Sequence, residues 1–125
     1  MAEIKLRWRI KYTNKNGKIY PICYISVPYR SAIFLLDHEP FLDPANKVII
    51  LRPKNDIKQN NGIRLKWRIK STRKGDRIYP LYYISVPYRS AIFLLDHEPF
   101  LDPINKVIVF RPKQQNNVQN QPQSQ

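Results

Sequence analysis

The chain has 125 residues, 22 of them basic and nine acidic, giving a formal net charge of +13 and an isoelectric point near 10.1. That length holds one ordinary domain or two very small ones, and so large a positive excess calls for a polyanionic partner such as nucleic acid or an anionic membrane surface. The single cysteine excludes an intrachain disulfide and fits a reducing compartment, while the longest clean apolar runs, 32–36 and 48–51, fall far short of a membrane span.

The N-terminus carries no apolar signal-peptide core. The first predicted element is a strand over Ile4–Lys11 that alternates without a fault. Ile4, Leu6, Trp8 and Ile10 form one face, and Lys5, Arg7, Arg9 and Lys11 the other. A period of two marks a half-buried strand. A solvated face usually mixes signs, because like charges side by side repel. A single-sign row implies a polyanion opposite it.

The row returns at Arg64, Lys66, Arg68 and Lys70, because the chain is a tandem duplication. Residues 4–54 align without gaps on 63–113 at an offset of 59, and 39 of the 51 aligned positions are identical. Each copy carries net +7. Residues 55–62 read as a polar linker. The Gln/Asn-rich stretch 114–125 reads as a disordered tail.

A turn follows each first strand. Asn16-Gly17 suits a type I′ hairpin and Gly75-Asp76 a type II′ hairpin. If these are the central residues, facing positions sum to 33 in copy one and 151 in copy two. Trp8 then faces Ile25, and Arg9 faces Tyr24. Trp67 faces Ile84, and Arg68 faces Tyr83. Tyr12 faces Pro21 at a site where the missing N–H costs this ladder nothing. Trp8 and Trp67 fall on the apolar face and read as core. Lys15, Lys18, Lys74 and Arg77 extend the basic row to the tips, and Arg73 adds a charge where copy one has Asn14.

Tyr29–Asp37 and its repeat read either as two turns of helix opened by Pro28 or as a buried strand, with helix preferred. Residues 38–44 read as a loop, because Pro40 and Pro44 break regular structure. Residues 47–51 read as a last strand, stopped by Arg52-Pro53. The expected fold is mainly β with one short helix per repeat. The core of each half would be small, so the repeats are expected to share one, as a pseudo-twofold single-chain dimer.

The order of hairpin, Ile25-Ser26-Val27-Pro28, short apolar segment, acidic loop and Lys47-Val48-Ile49-Ile50-Leu51 resembles the AbrB/SpoVT-like swapped-hairpin DNA-binding family. The resemblance spans about fifty residues of each repeat, and the Val-Pro step recurs at Val86-Pro87. It implies interleaved hairpins, with DNA bound by basic residues of the hairpin strands and neighbouring loops. This chain departs from the pattern. Its first hairpin is longer, its helix start keeps only Arg30 and Arg89 as basic residues, and the usual Gly-Asp turn before the third strand is missing.

Basic side chains on one face of a strand recur every ~6.6 Å. That is close to twice the axial rise per phosphate on one DNA strand, ~3.4 Å. Such spacing suits backbone contacts, which carry no sequence information. The candidate nucleic-acid contacts are Lys5, Arg7, Arg9, Lys11, Lys15, Lys18, Tyr24 and Arg30 in copy one. In copy two they are Arg64, Lys66, Arg68, Lys70, Arg73, Lys74, Arg77, Tyr83 and Arg89. Tyr24, Tyr83, Ser26 and Ser85 on the basic face either contact phosphate, stack on unpaired bases, or pack over arginine stems. Asp37-His38-Glu39 with Asp43, and its repeat with Asp102, is the one constellation that looks catalytic. Its spacing matches no strong metal motif, and it reads as a polar loop. No catalytic residue, metal or cofactor is assigned.

The expected function is non-enzymatic binding of double-stranded DNA, architectural or nucleoid-associated, in the cytoplasm. RNA and single strands stay open as ligands. The competitors are an AbrB-like sequence-specific regulator, a viral nucleoprotein that self-assembles along a genome, and a metal-dependent nuclease.

Overall fold

Each repeat contributes five strands and one helical turn in the computed structural model, which describes residues 3–54 and 62–113. The first supplies β1 (Ile4–Lys5), β2 (Arg7–Lys15), β3 (Lys18–Val27), α1 (Tyr29–Ala32), β4 (His38–Asp43) and β5 (Val48–Pro53). The second supplies β6 (Ile63–Arg64), β7 (Lys66–Lys74), β8 (Arg77–Val86), α2 (Tyr88–Ala91), β9 (His97–Asp102) and β10 (Val107–Pro112). The expectations for residues 55–61 and 114–125 lie outside the described residues.

The fold is mainly β, in two antiparallel sheets. One has four strands in the order β2-β3-β8-β7, the other six in the order β1-β9-β10-β5-β4-β6. Both hairpins hold the expected register. Trp8 faces Ile25 and Arg9 faces Tyr24; Trp67 faces Ile84 and Arg68 faces Tyr83. The turns explain why. Asn16 and Gly17 both adopt positive φ (55° and 81°), as a I′ turn demands, whereas in copy two only Gly75 does (64°).

The repeats join along two seams, one in each sheet. In the four-stranded sheet Ile25 faces Ile84, and in the six-stranded sheet Ile49 faces Ile108. Both pairs are residues 59 apart, so each position at the centre of a seam meets its own counterpart. All four side chains are fully buried, and one contiguous core draws on both sheets.

Three expectations need correction. First, the alternating strand 4–11 is interrupted at Leu6. β1 belongs to the six-stranded sheet and pairs with β9 of the other repeat, Ile4 opposite Leu101. The Leu6 amide donates to Pro99 O (2.8 Å), and the chain then enters the four-stranded sheet as β2. Leu65 does the same onto Pro40 O (2.8 Å), between β6 and β7. Each crossing is fastened by an indole, Trp8 Nε1 donating to His97 O (3.1 Å) and Trp67 Nε1 to His38 O (3.0 Å). The repeats are therefore reciprocally interlocked.

Second, residues 38–43 and 97–102 are strands, not loops. Pro40 is tolerated because its carbonyl points to the crossing strand, away from β5. Its missing N–H therefore faces a neighbour that pairs over only two residues and asks little of it. Third, the helix after Pro28 is a single turn, Tyr29–Ala32, followed by turns to Asp37. Only Ala32 and Leu35 of this segment are deeply buried, whereas Phe34 is 71% exposed. The segment thus offers too little apolar surface on one face to hold a longer helix.

Gly62 leads the second repeat into its crossing. A Cβ there would stand 2.7 Å from Leu42 O, so the close approach needs glycine. Gly62→Ala is expected to destabilise the protein by about 1–3 kcal/mol. Urea unfolding measures this, and a loss below a few tenths would show that the approach is slack. Residues 4–54 expressed alone lack the strand that receives β1. They are expected to be unfolded or to associate in pairs by sedimentation and circular dichroism. A folded, strictly monomeric single repeat at micromolar concentration contradicts the interlock.

Candidate nucleic-acid interface

The four-stranded sheet owes its outer face to the parity of its hairpins. Leu6, Trp8, Cys23, Ile25 and Val27 turn inward to the core. Arg7, Arg9 and Lys11 of β2 and Lys66, Arg68 and Lys70 of β7 take the opposite parity, and all six are exposed. β2 and β7 are the outermost strands. The face therefore has a cationic rail along each edge, and its floor comes from β3 and β8.

That floor is Tyr24, Ser26, Tyr83 and Ser85. Tyr24 lies opposite Ser85 and Ser26 opposite Tyr83. The two rings meet across the seam, centroids 5.5 Å apart at 46°. Each tyrosine is only 7% exposed. Lys70 Nζ sits 5.4 Å from the Tyr24 ring centroid, a cation–π distance. Of the readings weighed for Tyr24 and Tyr83, packing fits best, since rings so buried offer no open face to a base.

β3 and β8 run antiparallel and pair only over 23–27 and 82–86, so the hairpin arms leave the seam in opposite directions. At ~3.3 Å per residue each arm reaches roughly 26 Å from Ile25 or Ile84 to its tip. Lys15 with Lys18, and Lys74 with Arg77, are facing pairs beside the turns. On the first arm, Thr13, Lys15, Lys18, Tyr20 and Ile22 line an open concavity of about 590 Å³. Arg73 takes the other parity, opposite Ile78, and so is not on this face.

Four further candidates sit elsewhere. Lys5 and Arg64 belong to the six-stranded sheet and are neutralised there. Lys5 Nζ lies 3.3 Å from a Glu98 carboxylate oxygen, and Arg64 donates to Glu39 (2.7 Å). Arg30 lines a cleft with Ile4, Phe34 and Lys106. Its counterpart Arg89 is exposed on α2. The row expected to be free of acids is thus free of them only after the crossing.

The four strands of this sheet hold eleven basic residues and no acid. Most of the acids outside it are engaged. Arg111 binds Glu3 and lowers that carboxyl's pKa. Asp37 Oδ1 accepts from His38 Nδ1 and Asp96 Oδ1 from His97 Nδ1, each at 2.7 Å. Asp43 accepts from the Asn46 side chain (2.8 Å) and Asp102 from that of Asn105 (2.8 Å), closing the turns after β4 and β9. In these turns Lys47 and Lys106 take the positive φ that closes them (56° and 57°). Their carbonyls accept from Phe110 N and Leu51 N across the six-stranded seam, a structural role that the sequence did not signal.

Among the described residues no group of three or more His, Cys, Asp or Glu is placed to hold a metal ion. No helix among them is long and apolar enough to cross a membrane. Comparison of the chain with protein-family models, curated proteins and solved structures finds no match.

Hydrogen bonds to His38 and His97 hold the Asp37 and Asp96 carboxyls below the ordinary aspartate range, and those around Asn46 and Asn105 do the same for Asp43 and Asp102. A carboxylate with a depressed folded pKa contributes stability above its unfolded value, about 3.9, and loses it as pH falls through the folded value. Asp37→Asn with Asp96→Asn is therefore expected to flatten the fall in stability below about pH 4. Chemical denaturation as a function of pH reads this out. An unchanged acid limb would show that the two pairs contribute nothing.

Proposed function

We propose that this protein is a non-enzymatic nucleic-acid-binding protein that takes double-stranded DNA on the outer face of its four-stranded sheet, the two repeats acting as a pseudo-twofold single-chain dimer. The observation that carries the reading is the segregation of charge: β2, β3, β7 and β8 hold eleven cations and no carboxylate, and all but Arg73 lie on the outer face. A sheet that needed only solubility would mix signs. Concentrating one sign on one surface costs self-repulsion, and a polyanion relieves it.

Duplex is favoured over single strands by the covered tyrosines. A single-strand platform presents aromatic faces to successive bases, whereas Tyr24 and Tyr83 are buried against each other and Lys70 lies over the Tyr24 ring. Two arms spanning roughly 50 Å would track about one and a half turns of B-DNA. Rails of Arg and Lys suit phosphates on both sides of a groove. Such contacts position a protein without reading sequence, as an architectural, nucleoid-type role requires.

A second reading, a sequence-specific regulator of the AbrB kind, is favoured by one observation. The reciprocal crossing at Leu6 and Leu65 resembles an exchange of hairpins between subunits. Under that reading some rail side chains reach base edges.

Arg9→Gln with Arg68→Gln separates the two. Both side chains are exposed, so folding should survive. With about four to eight phosphate contacts, log K against log[salt] should have a slope of roughly −4 to −7 for the unaltered protein. The double variant should bind all duplexes more weakly, with the slope shallower by about two. An unchanged affinity and slope would make the rails a solvated surface. Loss of one preferred sequence, with non-specific affinity retained, would favour the regulator.

A further inference from the structure

Each arm interrupts its row of cations at one place. On β2, Thr13 stands between Lys11 and Lys15, and on β7 Thr72 stands between Lys70 and Lys74. Opposite them, on the same outer face, are Tyr20 and Tyr79. The tyrosines at the seam are buried, whereas Tyr20 and Tyr79 are 45% and 41% exposed. A neutral window holding one threonine and one open tyrosine thus lies between cations on each arm.

The copies match on this face and differ on the reverse of the same strands. On the outer face they differ only as Arg7 and Lys66, Lys18 and Arg77, and Ile22 and Leu81, so charge or apolar character is kept each time. On the reverse, Tyr12 answers to Ser71, Asn14 to Arg73 and Cys23 to Tyr82. Positions 12 and 14 are exposed, as are 7 and 18, so exposure does not explain the contrast. A twofold ligand does, because it meets two like surfaces.

Two spacings identify that ligand. Lys11 and Lys15 are four residues apart, roughly 13 Å along the strand. The major groove of B-form DNA is about 12 Å wide. Tyr20 lies five residues out from Ile25, and Tyr79 five residues out from its facing partner Ile84, in the opposite direction. The windows are therefore roughly 33 Å apart along the strands, and one turn of B-form DNA is about 34 Å. Rings so far apart serve no run of successive bases, which a single-strand platform needs.

We infer that a B-form duplex lies along the arms with its minor groove over the seam, so that Tyr20 with Thr13, and Tyr79 with Thr72, face two successive major grooves. Lys11 on one side and Lys15 with Lys18 on the other take the phosphates that border one groove. Lys70, Lys74 and Arg77 do the same at the second. The tyrosine rings and the threonine side chains meet base edges between them. The inference rests on the nucleic-acid reading and names the form of its ligand. An A-form RNA duplex does not fit, because its major groove is too deep and narrow for side chains to read. The seat is the same whether or not a preferred sequence is read.

The full chain is titrated at one low salt concentration with three ligands of the same sequence. These are a 20-base-pair DNA duplex, the corresponding RNA duplex, and the DNA duplex with every cytosine replaced by glucosylated 5-hydroxymethylcytosine, which fills the major groove. RNA and glucosylated DNA should each bind about tenfold more weakly than plain DNA. Tyr20→Ala and Tyr79→Ala should each lower affinity for plain DNA about tenfold, and together about a hundredfold, since the two sites are far apart. An 8-base-pair hairpin duplex spans only ~27 Å, so it fills one window at a time. On it each single variant should lose no more than about twofold, because the other window still serves, and only the double variant should lose the full tenfold. Circular dichroism checks that the variants stay folded.

Equal binding of plain and glucosylated DNA, or tyrosine variants that bind every duplex as the unaltered protein does, overturns the groove seat and leaves the phosphate rails standing. A 20-base single strand that binds more tightly than the duplex, and loses more in the tyrosine variants, overturns it in favour of stacking on unpaired bases. Failure of the unaltered protein to bind any nucleic acid overturns the nucleic-acid reading itself.

Discussion

The amide of Leu6 donates to Pro99 and that of Leu65 to Pro40, and on these two crossings the rest of the molecule depends. At each, a strand leaves one sheet, is fastened by an indole hydrogen bond to the other repeat, and continues into the second sheet. Neither repeat could supply the partner itself, because β1 pairs with β9 and β6 with β4. The burial of Ile25, Ile84, Ile49 and Ile108 at the seams follows from this exchange. So does the survival of Pro40 and Pro99 inside strands, since the neighbour on their donor-free side pairs only briefly.

The crossings also sort the charges. Residues before them, Lys5 and Arg64, meet acids in the six-stranded sheet. Residues after them enter strands that contain no acid. The polarity of the surface is therefore set by topology as much as by composition. A chain with the same net charge could have spread its carboxylates over both sheets. Here most of them pair with Lys5, Arg64 and Arg111, hold His38 and His97, or close the turns after β4 and β9.

Much of the hairpin architecture was legible because two independent signals agreed. Asn16-Gly17 and Gly75-Asp76 fix where the chain reverses, and alternation fixes which side chains share a face, so the pairing of Trp8 with Ile25 follows by counting. Alternation could not reveal the crossings. Leu6 is buried whether the strand runs straight or changes sheets, so the pattern passes through the break unaltered. Strand β4 was hidden by Pro40, whose effect depends on what lies on its donor side. Of the site, Arg7, Arg9, Lys66 and Arg68 could be read from parity. The contact of Tyr24 with Tyr83 could not, because no local pattern relates side chains of different repeats.

The seams join counterparts, yet the copies are not identical there. Position 51 is Leu and its counterpart is Phe110, whose ring stacks on Trp8 with centroids 5.8 Å apart. Cys23 is fully buried, and its counterpart Tyr82 packs against Tyr29 at 5.7 Å. Two separate identical chains would have to use each side chain twice, so any change in such a core would be felt at both ends at once. Joining the copies in one polypeptide removes that coupling. A substitution now acts at one end only, and the unaltered end can hold the fold while the other drifts. The duplicated chain thus has a mutational freedom that a symmetric pair of single repeats would lack, and the copies do differ at 23 and 82 and at 51 and 110.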